Sequence, residues 1–328
     1  IILEEYKLTD LLNVLVFGKA AVLVSIPPIA GYFADRYMKR LKKGFVVYIA
    51  GITVTAMIFM IVATLLNLGK SGFILTFLPV MIVLWLISMN IFISPATSML
   101  NSFSSLEKMP IALGIIVLLT DIIYAAEPVI DELVGFFGDT LTFVVGGVLI
   151  SATGYLFYRV SSNEIANRSD EMQHVSNDEI KSDYFGVVGV GLLLGVGRAL
   201  IVEYIPTQES TYFLTANYFS FILLGAAALA ALLISKGIAR WGYRKAVNLS
   251  IPLLGISALV IWFGSSKFLF MASSIVLAAT VAIMSVSFLP LAFSRLNKKH
   301  ISLGVGLFIG ASAVFEGILE ILKLYNLI

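Results

Sequence analysis

The chain has 328 residues, of which 59% are hydrophobic and 13% are charged, and its formal net charge is +2. This number of charged side chains is too small to cover the surface of a soluble domain of this length. The composition therefore excludes a soluble globular protein and indicates a polytopic membrane protein. The chain contains no cysteine, which excludes a disulfide framework and a thiolate metal site.

Ten apolar runs are long enough to cross a bilayer as helices. The runs are continuous rather than alternating, which favours helices over the period-two strands of a barrel. In chain order they cover residues 12–33, 46–67, 73–95, 109–131, 140–159, 185–205, 215–236, 247–265, 268–290 and 301–323.

Lysine and arginine are concentrated in alternate loops. Most of the 22 basic residues lie in the loops that follow the odd-numbered spans, and the loops that follow the even-numbered spans hold few. The positive-inside rule places the basic loops in the cytoplasm. With an even number of spans, both ends of the sequence are then expected on the outer face.

The longest polar interruption divides the spans into five and five. It covers residues 161–184 and is rich in charged and polar side chains, which predicts a cytoplasmic linker. We therefore expect an N-terminal helical lobe at residues 1–160 and a C-terminal helical lobe at residues 185–328.

The two halves share short sequence motifs in the same order, at matching positions along their spans. Both halves also point the same way in the membrane, which is typical of transporters built from parallel repeats. The matched pairs are Gly31–Arg40 with Gly237–Lys245, Ser98–Asn101 with Ser294–Asn297, and Ala112–Gly114 with Ser302–Gly304.

The first of these motifs resembles the signature of the major facilitator superfamily. That family carries Gly-x-x-x-Asp-Arg-x-x-x-Arg between its second and third helices, and a degenerate copy between its eighth and ninth. In the second copy, Trp241 stands where the family usually has aspartate. The matching residues are Gly31, Asp35, Arg36 and Arg40 in the first copy and Gly237, Arg240, Gly242 and Arg244 in the second.

The resemblance implies an all-α membrane fold with two pseudo-symmetric helical bundles around a central cavity. Such a fold has twelve spans, so the ten found here would be family helices two to eleven. A shortened or incompletely represented sequence is therefore expected, with a true five-plus-five protein as the alternative. The resemblance also implies that the signature residues, among them Gly237, Arg240 and Arg244, form a conformational latch on the cytoplasmic side.

Charged residues inside the spans are the candidates for coupling and substrate binding, because a charge in the bilayer costs several kcal/mol unless it is paired or hydrated. A carboxyl group at this depth can exchange a proton in each transport cycle, which makes Asp121, Glu127 and Glu316 candidate proton carriers. Lys19 and Arg198 are candidate ligands for an anionic or hydroxyl-rich substrate, with a structural ion pair to Asp121 or Glu127 as the alternative. Tyr124 is a further candidate substrate contact, with packing or an interfacial position as the alternative.

The sequence contains no Walker-type loop, metal-ligand cluster or nucleophile–base arrangement, so we expect neither an enzyme nor a cofactor. The preferred interpretation is a secondary active transporter of a small solute, working by alternating access with proton symport. The alternatives are a drug or metabolite efflux antiporter and a transporter-like receptor or accessory subunit. The expected partners are a small molecule, protons and the lipid bilayer, with no nucleic acid, in a monomer of the plasma membrane.

Overall fold

The computed structural model describes residues 12–41, 45–67, 72–174, 181–205, 216–264 and 266–325. All regular structure in these ranges is helical, which confirms the predicted all-α fold. The α-helices are α1 (Leu12–Leu41), α2 (Phe45–Asn67), α3 (Gly72–Ser98), α4 (Leu100–Phe103), α5 (Met109–Ala125), α6 (Glu127–Phe137), α7 (Asp139–His174), α8 (Tyr184–Ala199), α9 (Ala216–Trp241), α10 (Tyr243–Phe263), α11 (Lys267–Ser294) and α12 (Ile301–Leu324).

The apolar runs form helices because hydrocarbon offers no partner for backbone N–H and C=O groups, which must then bond within their own segment. Within the described ranges, nine helices are long and apolar enough to cross a membrane, and a tenth apolar helix at Met109–Tyr124 is shorter. These ten helices fall on the ten predicted runs. The protein is an integral, multi-pass membrane protein.

The predicted span at residues 109–131 is interrupted at Ala126, between α5 and α6. Pro128 accounts for the break, because proline has no N–H to donate to the carbonyl four residues earlier, which is that of Tyr124. The Ala126 N–H donates to the Ile122 carbonyl over 2.9 Å, which completes the last turn of α5. The predicted single span therefore consists of two helices, α5 and α6.

The helix α7 continues well beyond its predicted span. It has 36 residues, which corresponds to about 54 Å at 1.5 Å per residue, whereas the hydrocarbon core of a bilayer is about 30 Å thick. Residues 161–174 of the predicted linker belong to this helix. The first half of the linker is thus a helical extension of the last span of the first repeat.

The helices pack as two compact units. Unit one contains Ile1–Ser102, Ile130–Ser182 and Leu296–Gly310, and unit two contains Phe103–Val129, Asp183–Arg295 and Ala311–Ile328. Each unit takes segments from both sides of the predicted linker. The division into two lobes at that linker stays a prediction.

The core of unit one contains an aromatic cluster that joins α2, α3 and α7. The ring of Phe59 meets Trp85 edge-on at 5.5 Å between centroids and lies 5.6 Å from Phe143. A Cβ atom on Gly146 would lie only 2.4 Å from the Phe59 ring, so glycine is needed at that position. The absent side chain lets α7 approach α2 closely.

Unit one also contains a close backbone contact between α1 and the first half of α12. A Cβ atom on Gly306 would lie 2.3 Å from the Pro27 carbonyl oxygen, and one on Gly310 would lie 2.4 Å from that of Val24. Pro28 has no N–H to give to the Val24 carbonyl, which leaves that oxygen available for a weak bond from a glycine Cα–H group. Glycines spaced four residues apart therefore let two backbones touch.

Unit two also contains two helix pairs that approach closely at a glycine. A Cβ atom on Gly114 would lie 2.7 Å from Ser235 Cβ, which joins α5 to α9. A Cβ atom on Gly195 would lie 2.4 Å from the Ser312 carbonyl oxygen, which joins α8 to α12. Small residues thus set the distance between helices in both units.

We predict that Gly306→Ala destabilises the protein by about 1–3 kcal/mol, because its new methyl group meets the backbone of α1, which cannot move aside cheaply. The matched control is Gly255→Ala in α10, where a Cβ atom would meet nothing within 4 Å. Thermal unfolding of the purified protein in detergent measures both. Equal melting temperatures for the two variants would contradict the packing role of Gly306.

Candidate functional site

Asp35 of the signature motif binds the start of α12. Its side chain is 5% exposed. The N–H of Ser302 donates to Asp35 Oδ1 over 3.1 Å, and the N–H of Leu303 donates to Oδ2 over 2.8 Å. The first N–H groups of a helix have no partner within the helix and form its positive end, so a buried carboxylate is well placed there. Asp35 therefore caps α12 with two charge-assisted hydrogen bonds.

Gly31 and two serines complete this site, which we name the capped contact (Gly31, Asp35, Ser94, Ser98 and Ser302). Ser94 donates to the Ser302 carbonyl over 2.6 Å, and the hydroxyls of Ser98 and Ser302 lie 3.0 Å apart. A Cβ atom on Gly31 would lie 2.2 Å from that same carbonyl oxygen. The glycine of the motif is therefore needed so that its aspartate can reach the helix start.

The serines of the capped contact were not predicted as site residues. Ser98 and Ser302 both belong to motif pairs that recur in the two halves, which was the available signal. The sequence could not show that members of two different pairs meet each other. Their meeting depends on how α3 and α12 pack in unit one.

The capped contact does not include the two arginines of the first copy. Arg36 is exposed, and the side chain of Arg40 lies outside the described part of the structure. Their part in the implied conformational latch stays a prediction.

The second copy of the motif does not rebuild the capped contact. Gly237 is exposed, with nothing within 4 Å of a Cβ atom built on it. Arg240 and Arg244 are exposed as well. Gly242 has φ +100 and ends α9, a conformation that glycine adopts without strain.

The start of α5 is the repeat counterpart of the start of α12. Its N-cap residue, Lys108, makes no side-chain capping bond, and a proline lies in its first turn. Proline at this position removes one of the N–H groups that would need a partner. With Trp241 in place of the aspartate, the second copy lacks the carboxylate that caps a helix start in the first copy.

An ion pair lies deep in the membrane-spanning part of unit two. Arg198 Nη2 donates to Asp121 Oδ1 over 3.0 Å, and the two side chains are 31% and 3% exposed. Asp121 lies 12 residues beyond the start of α5 and Arg198 lies 14 residues beyond the start of α8, which corresponds to about 18 and 21 Å along their helices. The candidate proton carrier and the candidate substrate ligand are therefore paired with each other.

Glu316 lies at the same level of unit two. The close contact of Gly195 with Ser312 aligns α8 with α12. Glu316 is four residues beyond Ser312, and Arg198 is three residues beyond Gly195, so each lies about one turn past the contact. Three of the predicted candidates thus share one layer, although they come from three helices.

The residues that follow Arg198 form a π-helix at Leu200–Tyr204, a rare form that is frequent at functional sites. Within it, Glu203 forms an ion pair with Lys323 of α12. The ring of Tyr204 stacks on Trp262 at 5.2 Å and 9°. Sequence reasoning did not identify the Glu203–Lys323 pair, because the two residues are 120 positions apart.

The other candidates lie elsewhere. Lys19 is half-buried in α1 of unit one. Tyr124 is 58% exposed on α5, and the side chain of Glu127 lies outside the described part. Within the described residues, no group of three or more His, Asp or Glu side chains could hold a metal ion.

No protein-family model and no curated protein matches the chain by sequence. Among solved structures, the chain is similar to the crystal structure of the human organic anion transporter MFSD10 (TETRAN), with a TM-score of 0.62 and 14% identity. The match covers 94% of this chain and 76% of that chain. The chain has the same fold as this transporter. The fold implied by the signature motif is therefore confirmed.

We predict that Asp35→Ala speeds hydrogen exchange in the first turn of α12 by about two- to thirtyfold, the range expected for the loss of a helix cap. Hydrogen–deuterium exchange of a peptide that covers residues 298–306 measures the effect. The control is Asp183→Ala, since Asp183 caps α8 through the Gly186 N–H at 2.8 Å. Each variant should affect its own helix, and unchanged exchange in Asp35→Ala would show that the carboxylate does not hold α12.

We predict that Asp121→Asn and Arg198→Gln each destabilise the protein by about 3 kcal/mol, because each leaves a charge buried without its partner. The double variant should lose less than the sum of the two, by about 1 kcal/mol or more. Equilibrium unfolding in mixed detergent and denaturant gives the three values. The exposed pair Asp183–Arg295, at 2.9 Å, is the control, and its coupling should stay below about 1 kcal/mol.

Proposed function

We propose that the protein is a secondary active transporter of the plasma membrane that moves a small organic anion together with a proton by alternating access. The observation that carries the proposal is the Asp121–Arg198 ion pair, buried in the spans of a chain with a transporter fold. Charged residues at this depth are costly and mark transport pathways more often than structural contacts.

The charge balance of this ion pair couples the binding of a proton to the binding of an anion. In the empty protein, the ionised Asp121 carboxylate and the Arg198 guanidinium neutralise each other. A proton on Asp121 frees the guanidinium, which then holds the anion, and the loaded site is again neutral. Binding of the proton alone or of the anion alone leaves a net charge in the bilayer, which is strongly unfavourable. The two ligands are therefore expected to move together, as a symport.

The choice of an anion has two supports. Arg198 is 31% exposed beside an almost fully buried partner, so its remaining N–H groups can reach a ligand. A guanidinium binds carboxylates with well-defined geometry. The solved structure of similar fold is described as an organic anion transporter, and we extend that cargo class to this chain as part of the proposal.

The capped contact is proposed to act as the conformational latch. Asp35 on α1 holds the start of α12, and these helices come from opposite sides of the predicted linker. Undoing the contact exposes a carboxylate and two N–H groups at once, so the contact has two discrete states. Alternating access needs an element of this kind.

We predict that Asp121→Asn reduces proton-driven uptake by tenfold or more, because an asparagine cannot exchange a proton. Uptake of carbon-14-labelled gluconate, glutamate and succinate into proteoliposomes, with an imposed pH gradient that is acidic outside, measures the flux. Glu127→Gln and Glu316→Gln are measured beside it. Loss of flux in one of these, with full flux in Asp121→Asn, would move the proton site to that residue.

Other outcomes separate the alternatives. Flux of the labelled anion against the direction of proton flow would indicate an antiporter. The absence of gradient-driven flux for all three anions in the unmodified protein would contradict the proposal and favour a receptor or accessory subunit.

A further inference from the structure

One hydroxyl group in α11 has no hydrogen-bond partner. Ser285 is 8% exposed, and its Oγ makes no hydrogen bond in the described part of the structure. The other described hydroxyls of α11 donate to carbonyls of their own helix, and they belong to Ser273, Ser274, Thr280, Ser287 and Ser294.

The geometry of the helix does not explain this difference. Ser287 lies two residues further along α11, is fully buried, and donates to the Ile283 carbonyl over 2.6 Å. The same bond type is thus available in this part of α11. A buried hydroxyl without a partner is unfavourable, and native proteins retain such groups mainly where they bind something.

Ser285 lies beside the layer that contains the ion pair. A Cβ atom on Gly197 would lie 2.8 Å from Val281 Cγ2 and 3.9 Å from Met284 Sδ. This contact places the turn of α11 that ends at Ser285 against the turn of α8 that holds Arg198. Ser285 follows Val281 by four residues, so it lies about one turn, or 5.4 Å, along α11 from the residue that contacts Gly197, the neighbour of Arg198.

We propose that the Ser285 hydroxyl is a substrate-binding group that works together with Arg198. The ligand would be a small carboxylate with a second hydrogen-bonding group, such as a hydroxyl, about one helical turn from the carboxylate. Arg198 holds the carboxylate and Ser285 bonds the second group. The inference rests on the proposed function, since it places the transported anion at Arg198.

The test uses the natural absence of cysteine from the chain. Ser285→Cys and Ser287→Cys are prepared in proteoliposomes and exposed to two membrane-impermeant methanethiosulfonates, the anionic sulfonatoethyl and the cationic trimethylammonium-ethyl reagent. Ser287 is the matched control, because it lies on the same helix and is also buried but is bonded to its own backbone. Labelling is followed by mass spectrometry, with and without gluconate.

We expect Ser285→Cys to be labelled at least about tenfold faster than Ser287→Cys, with gluconate slowing the reaction. The anionic reagent should react faster than the cationic one, and Arg198→Gln should remove this preference. Equal labelling of the two cysteines, or labelling that gluconate does not slow, would overturn the inference.

A second experiment combines a melting temperature, which does not depend on the ligand, with a half-saturation measurement, which does. Ser285→Ala removes a hydroxyl that bonds nothing within the described structure, so its melting temperature should equal or exceed that of the unmodified protein. Its half-saturating gluconate concentration should rise by about tenfold, as expected when a ligand loses one hydrogen bond. A lower melting temperature with unchanged half-saturation would assign Ser285 a structural role.

The outcomes distinguish the inference from the proposed function. Ligand-protected labelling of Ser285→Cys without gradient-driven flux in the unmodified protein would keep the binding site and reject transport. Gradient-driven flux with an unlabelled Ser285→Cys would keep transport and reject the site.

Discussion

Hydrocarbon offers neither hydrogen bonds nor a hydrophobic force between helices, and the packing of this protein depends on that constraint. Helices surrounded by lipid gain by touching closely and by satisfying every polar atom internally. The first requirement accounts for the glycines at the contacts of α1 with α12 and of α8 with α12, where a single methyl group would meet backbone. The second accounts for the serines that bond to their own helices. The functional candidates are among the few polar groups that do not follow this pattern.

Asp35 and Asp121 satisfy a buried carboxylate in two different ways. Asp35 is held by backbone N–H groups of a helix start, which carry a fixed partial charge and can leave only if the helices separate. Asp121 is held by the side chain of Arg198, which can turn away while the backbone stays in place. A carboxylate bound by backbone suits a contact that opens and closes as a whole. A carboxylate bound by a mobile cation suits the exchange of a proton for a substrate.

Most of the fold could be predicted from the sequence. Continuous apolar runs predicted the positions of the helices, and Pro128 marked the place where one of them breaks. The spacing of Gly31 and Asp35 matched a family signature and so implied a latch, but the helix that Asp35 binds depends on packing between segments 267 residues apart. Sequence reasoning offered an ion pair of Arg198 with Asp121 or Glu127 only as an alternative, and it gave no sign of the unbonded hydroxyl of Ser285, because both features depend on the rotation of helices about their own axes. Periodicity could not supply that rotation, since most of these helices are apolar on all sides.

The two copies of the repeat have kept the same positions but different chemistry. In unit one, the start of α12 is bound by a buried carboxylate and by hydroxyls, all of which must be released together. In unit two, the start of α5 has a proline and no side-chain cap, and Gly114 packs against Ser235 by shape alone. Contacts of the second kind can slide in small steps, whereas a charge-assisted cap is either formed or broken. The latch that we propose therefore depends on one cap, the contact of Asp35 with the start of α12.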